Sequence, residues 1–151
     1  MTLRAFAVKH VASKRGPLVD RIATYCRAPY SYTSKGREAN EAARGNTVYV
    51  IETRPAPSGT TYWLGYKYVA RKCVTHPGGG RWESQFKYKI ESGSPPAEIG
   101  FYFDSPVQIG DAEFRDWYSK QTFGMVELPP AYCKILEREF ARLTLRAKAC
   151  V

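Results

Sequence analysis

Trp63, Tyr66 and Tyr68 lie close together in the chain, and Trp82 follows a glycine-rich turn. Aromatic rings of this kind stack on nucleobases, while Lys and Arg hold phosphates. Lys14, Arg15, Arg37, Arg44, Arg71 and Lys72 are the cations placed to do so. Tyr30 and Tyr32 stand in a polar loop, where an exposed ring calls for an explanation in binding. Ser34 and Asn40 carry groups that hydrogen-bond a base edge, an amide offering both donor and acceptor. Each residue also has a plainer reading. The aromatics serve equally as core, Ser34 and Asn40 as turn or helix caps, and the cations as a solvated face.

Other chemistries find little support. Asp111, Glu113 and Asp116 are the dense acids, and a helix start accounts for them through its dipole. No P-loop, G-x-S-x-G or H-E-x-x-H occurs. Cys26, Cys73, Cys133 and Cys150 are scattered without a C-x-x-C pair, and only His10 and His76 stand beside them. That argues for reduced thiols rather than zinc. No metal or cofactor is expected.

The elements that must carry these residues are read from periodicity. Arg4 to Val11 alternates as a strand, with Phe6, Val8 and His10 on one face and Ala5, Ala7, Lys9 and Val11 on the other. Leu18, Val19, Ile22, Tyr25 and Cys26 recur at helical spacing, and a short helical turn is expected over 38–44. Strand 47–53 follows, and the Pro-rich linker 54–59 is expected to end its ladder. A strand over 60–74, bending at Gly65, comes next. Unbroken alternation there places Trp63 opposite Tyr62, Leu64, Tyr66 and Tyr68. Residues 82–90 alternate, with Trp82, Ser84, Phe86, Tyr88 and Ile90 on one face. A strand at 99–103, a helix at 111–120, a strand at 123–128 and a helix opened by Pro129-Pro130 complete the reading. The last helix carries Tyr132, Ile135, Leu136, Phe140 and Leu143 on one stripe. The tail 144–151 is left without an element. The fold class is α+β: a small, curved antiparallel β-barrel flanked by two or three helices.

The 151 residues suit one domain over 1–151. The net charge of +9 is uneven. Residues 1–44 carry nine Lys/Arg against three acids, whereas 92–127 carry two against six. A basic face of this kind favours a polyanion. No apolar run is long enough to span a bilayer and no secretory h-region opens the chain, so a cytoplasmic protein without membrane contact is expected.

The order of elements resembles the PUA-like superfamily, and most closely its EVE and YTH-like branch. Gly45-Asn46-Thr47-Val48-Tyr49-Val50 and Gly65-Tyr66-Lys67-Tyr68-Val69 match the branch's Gly-Asp strand and the strand that returns to it. Tyr30–Ser34 and Glu38–Arg44 match its upstream aromatic and Ala/Arg/Asn-rich segment. Pro106-Val107-Gln108-Ile109, the 111–118 helix, Phe123–Leu128 and the 130–140 helix follow its downstream order. Asn46 stands where the family has an acid, and Phe123-Gly124-Met125-Val126 replaces a more polar strand. The resemblance implies a pocket for one flipped, often modified, base between aromatic walls, to which Phe123, Gly124 and Met125 would contribute. It implies nucleic acid as partner, DNA slightly ahead of RNA, and a neighbouring nuclease or defence protein. The rival readings are an ASCH-like hydrolase or ribonuclease, needing a convergent Lys, Thr and Glu, and a protein-binding defence or counter-defence factor.

Overall fold

The computed structural model of the chain describes residues 4–20, 22, 30–33, 37–75, 88–92, 100–121, 124–143 and 147–149. The strands are β1 (Ala5–Val11), β2 (Tyr30–Thr33), β3 (Thr47–Ala56), β4 (Gly59–Val69), β5 (Lys72–Thr75), β6 (Tyr88–Glu91), β7 (Phe101–Gln108), β8 (Val126–Glu127) and β9 (Ala147–Ala149). The helices are α1 (Ala12–Arg15), α2 (Arg37–Ala42), α3 (Ala112–Ser119) and α4 (Pro130–Arg142), with a 3-10 turn at Leu18–Asp20. The fold is α+β.

Two sheets are formed, one in the order β8-β1-β3-β4-β7-β9 and one in the order β2-β6-β5. The larger sheet is mixed, because β1 runs parallel to β3 while its other pairs are antiparallel. This corrects the wholly antiparallel expectation. A parallel pair needs a crossover, and the chain between Val11 and Thr47, with β2 and α2, supplies it. Among the described residues neither sheet closes into a ring.

β3 also outruns its expected end. Its ladder with β4 continues through Pro55, opposite Thr60, to Ala56. Pairing with β1 stops at Thr53, so the missing Pro55 N–H faces an open edge, where proline is tolerated. The expected bend at Gly65 is a register shift in β4. It inverts the alternation. Trp63, Tyr66 and Tyr68 oppose Glu52, Val50 and Val48, and so share one face, while Tyr62, Leu64 and Lys67 share the other. The expected placement of Trp63 opposite Tyr66 and Tyr68 is therefore corrected. A Cβ at Gly65 would meet the Leu18 side chain, so Leu18 would have to shift to admit one.

Both faces of the large sheet are covered. On one, Ala5, Ala7, Tyr49, Ile51, Tyr62 and Leu64 pack with Phe103, Phe114, Tyr118, Leu136 and Phe140. Those partners come from β7, α3 and α4. Asp111 caps α3, its Oδ1 accepting from Phe114 N at 2.9 Å, and Pro130 occupies the first turn of α4. On the other face, Phe6, Val8, Val48, Val50, Tyr66 and Tyr68 pack with Leu18, Ile22, Ala43, Ile90 and Met125. The expected helix after Pro17 is seen only as the 3-10 turn and Ile22, the rest of 18–26 lying outside the described residues. The alternating strand 82–90 is described from Tyr88 onward. No described helix is long and apolar enough to cross a membrane.

Candidate anion-binding cleft

Past Thr53 the β3–β4 hairpin continues without β1. α1 packs beside β3 and α3 packs on β4. Between them opens a cleft of about 660 Å³, inside the roughly 300–1,000 Å³ range of small-molecule sites. Ser13 and Lys14 of α1, Thr53, Arg54 and Pro55 of β3, and Thr60 and Tyr62 of β4 line it. Ala112, Arg115, Asp116 and Ser119 of α3 face them, and Lys9, Val11 and Gln121 complete the lining.

Lys9 occupies an inward position of β1, after Ala5 and Ala7 on the same face, and is only 7% exposed. Its Nζ donates to the Gln121 carbonyl at 3.0 Å. It also lies 4.7 Å from the Tyr118 ring centroid and 5.8 Å from that of Tyr62. Burial pulls the Lys9 pKa below the ordinary lysine value, because a charged amine is poorly solvated there. Burial also raises Tyr62, against the opposing pull of Arg115. Tyr118 is raised well above a normal phenol, by burial first and Tyr62 second. Its hydroxyl has no hydrogen-bond partner among the described residues.

Arg54 is held from behind. Its Nε and Nη2 each lie 2.7 Å from Glu52 Oε1. Its guanidinium sits 4.0 Å above the Trp63 ring. Glu52 is fully buried, and its Oε2 accepts from Leu18 N at 2.6 Å. Its register partner His10 donates from Nε2 to the Gly16 carbonyl at 2.9 Å. This pair therefore anchors the Gly16–Leu18 segment and holds the Arg54 guanidinium on the Glu52 and Trp63 side of the hairpin. Among the lining residues four are cations and one, Asp116, is an acid. Asp116 already accepts from Lys120 Nζ at 3.1 Å. The cleft is thus suited to an anion.

Among the described residues, the expected base pocket does not gather around the β4 aromatics. Tyr66 and Tyr68 are buried core residues. The Tyr66 hydroxyl donates to the Tyr30 carbonyl at 2.6 Å. The Tyr68 hydroxyl donates to the Ile90 carbonyl and accepts from Ser31 Oγ, both at 2.8 Å. Asn40 is buried in α2, its Oδ1 accepting from Thr33 Oγ1 at 2.8 Å. Met125 packs in the same core, and Gly124 is buried beside it. Trp63 is half-buried, with Arg54 over its ring and its Nε1 donating to Thr61 Oγ1 at 3.0 Å. Tyr30, Tyr66 and Arg15 do meet, around a cavity of only about 10 Å³, which is room for roughly one water. Tyr32 is in β2, opposite Lys89. Ser34, Trp82, Phe123 and the side chains of Tyr32 and Arg37 lie outside the described residues.

The expected phosphate contacts divide between two ends of the sheet. Lys14 lines the cleft. Arg44, Arg71 and Lys72 are exposed at the far end, where Gly45 N donates to the Ala70 carbonyl at 2.6 Å. Six strand steps of β3 separate those ends, about 20 Å. Lys9, Arg54, Tyr62 and Arg115 were not singled out by their types. The available signal was a charge on an apolar strand face, Lys9 in β1 and Glu52 in β3. For a hydrolytic trio, Lys9 and Thr53 reach the cleft, but Glu52 is turned to the opposite face and bonded to Arg54 and Leu18. Among the described residues no three His, Cys, Asp or Glu are grouped to hold a metal ion.

No protein-family model matches this chain, and no curated protein matches it.

Proposed function

We propose that the protein binds nucleic acid and that the cleft takes an extruded nucleotide. The observation that carries this reading is the lining itself: Lys9, Lys14, Arg54 and Arg115 against the single acid Asp116 in a volume of nucleotide scale. Lys14 and Arg115 would take phosphates, and the base would rest against Tyr62 and the Lys9 amine. Extruding a base costs a few kcal/mol, which contacts of this kind offset. A modified base is the favoured ligand, DNA ahead of RNA, with a nuclease or defence protein as neighbour. The PUA-like reading of the fold is supported by the β3–β4 hairpin with its Gly65 shift and by the Pro-initiated helix after β8. A cytoplasmic setting is part of the same proposal.

The test is fluorescence polarisation with short DNA and RNA strands, unmodified or carrying methylated bases, at two salt concentrations. Arg115→Ala and Lys14→Ala are each expected to weaken binding and to lower the salt slope by about 1. Arg71→Ala and Lys72→Ala are expected to change little. The reverse pattern moves the site to the far end of the sheet. Absence of binding at both salt concentrations sinks the proposal and favours a protein-binding module.

A further inference from the structure

The cleft presents Lys9 as more than a charge. We propose that Lys9 is a nucleophilic amine that captures a small anionic aldehyde or α-keto acid in the cleft as an imine. Three observations of geometry support this. The Nζ is held by its bond to the Gln121 carbonyl and flanked by the Tyr62 and Tyr118 rings. Lys9 lines a cleft wide enough to admit a carbonyl compound. Lys14 and Arg115 line the same cleft, and would hold a carboxylate or phosphate while its carbonyl carbon meets the amine.

Burial acts in the same direction, because it enlarges the neutral fraction of the amine near neutral pH. The groups lining the cleft beside it are the Tyr62 phenol, the Lys14, Arg54 and Arg115 cations and the Asp116 carboxylate, with the Tyr118 ring behind.

The step balances without an oxidant or reductant. The Lys9 ammonium first releases a proton. The Nζ lone pair then bonds to the carbonyl carbon, and the C=O pair moves to oxygen, which is protonated. The carbinolamine nitrogen loses a proton, and its hydroxyl takes one and leaves as water while nitrogen forms C=N. Ammonium plus aldehyde thus gives iminium plus water.

The inference uses the cleft described above but not the nucleic-acid identity of its ligand. Its test therefore contains no nucleic acid, and a failure of oligonucleotide binding leaves the test intact. The wild-type protein is treated with glyoxylate and sodium cyanoborohydride at neutral pH, and the reduced adducts are mapped by peptide mass spectrometry. Lys9 is expected to carry the first and dominant adduct, ahead of the exposed Lys120 and Lys72. Arg115→Ala is expected to slow labelling at Lys9 and leave Lys120 unchanged, and Lys9→Arg to abolish the dominant adduct. Labelling of Lys9 no faster than Lys120 in the wild-type protein overturns the proposal, whether or not the Lys9→Arg variant folds. Equal slowing at every lysine in Arg115→Ala also counts against it.

Discussion

The two faces of the six-stranded sheet use aromatic residues in opposite ways. Against the three-stranded sheet, Tyr66 and Tyr68 are buried with their hydroxyls bonded to Tyr30, Ile90 and Ser31, leaving a cavity of about 10 Å³. On the face covered by α3, the α3 residue Tyr118 is buried with no partner for its hydroxyl among the described residues. Tyr62 stands beside it, and the surface opens into about 660 Å³. A satisfied buried phenol rigidifies a core, whereas an unsatisfied one is an energetic cost that calls for a reason. Both faces are packed, but only the face covered by α3 opens at one end into a cleft.

The largest effect expected from this contrast is on the face against the three-stranded sheet. Tyr68→Ala removes a buried ring and strands Ser31 and the Ile90 carbonyl. Chemical denaturation should show a loss of about 3–5 kcal/mol. Oligonucleotide affinity of the folded fraction should be unchanged. A loss of affinity with little loss of stability would return Tyr68 to a binding role and break the division between faces.

Much of this division was legible in the sequence. Alternation put Phe6 and Val8 on one face of β1, and the stripe on α4 held Leu136 and Phe140; all four are buried, but so are Ala5, Ala7 and Lys9 on the other face of β1, because the sheet is covered on both sides. Gly65 was legible as a bend. Its consequence was not, since period-2 reasoning carries a face assignment straight through a bulge and so misplaces Trp63 relative to Tyr66 and Tyr68. Pro55 misled for a related reason. Proline bars a ladder only where its N–H side is paired, and one chain does not say where a neighbouring strand stops. The cleft was the least legible part. Lys9, Arg54, Tyr62 and Arg115 are brought together by the parallel crossover and by α3 packing on β4, and neither leaves a local pattern.

Tyr118→Phe tests the other face with a smaller effect and the opposite sign. It deletes the unpartnered hydroxyl and keeps the ring that packs on Phe114 and Tyr62 and lies beside the Lys9 amine. Stability should rise by roughly 1 kcal/mol, since a buried unsatisfied group costs about 1–3 kcal/mol. A thermal or denaturant titration reads it directly. A clear loss instead would mean that the hydroxyl has a partner, and the contrast between satisfied and unsatisfied phenols would fail.

The finest test is the pH dependence that Lys9 imposes. Its folded pKa is depressed by burial, while the unfolded chain titrates near the ordinary value of 10.5. Between those two values the unfolded chain holds more protons than the folded one, so this group makes stability rise with pH across that interval. Below the folded pKa both states are protonated and the contribution is a constant cost of burying the charge. The tyrosines act in the opposite sense. Tyr62, Tyr68 and Tyr118 are raised above 10, so the folded state keeps protons that the unfolded chain loses, and stability falls as pH climbs beyond that point. The wild-type profile mixes the two. Lys9→Met keeps a side chain of similar length and removes only the rising contribution, so the difference between the two profiles isolates it. That difference should slope in the interval below 10.5 and be flat at lower pH. A difference flat throughout would mean that the Lys9 amine titrates as if in water, and would remove the physical basis for treating it as anything but a surface charge.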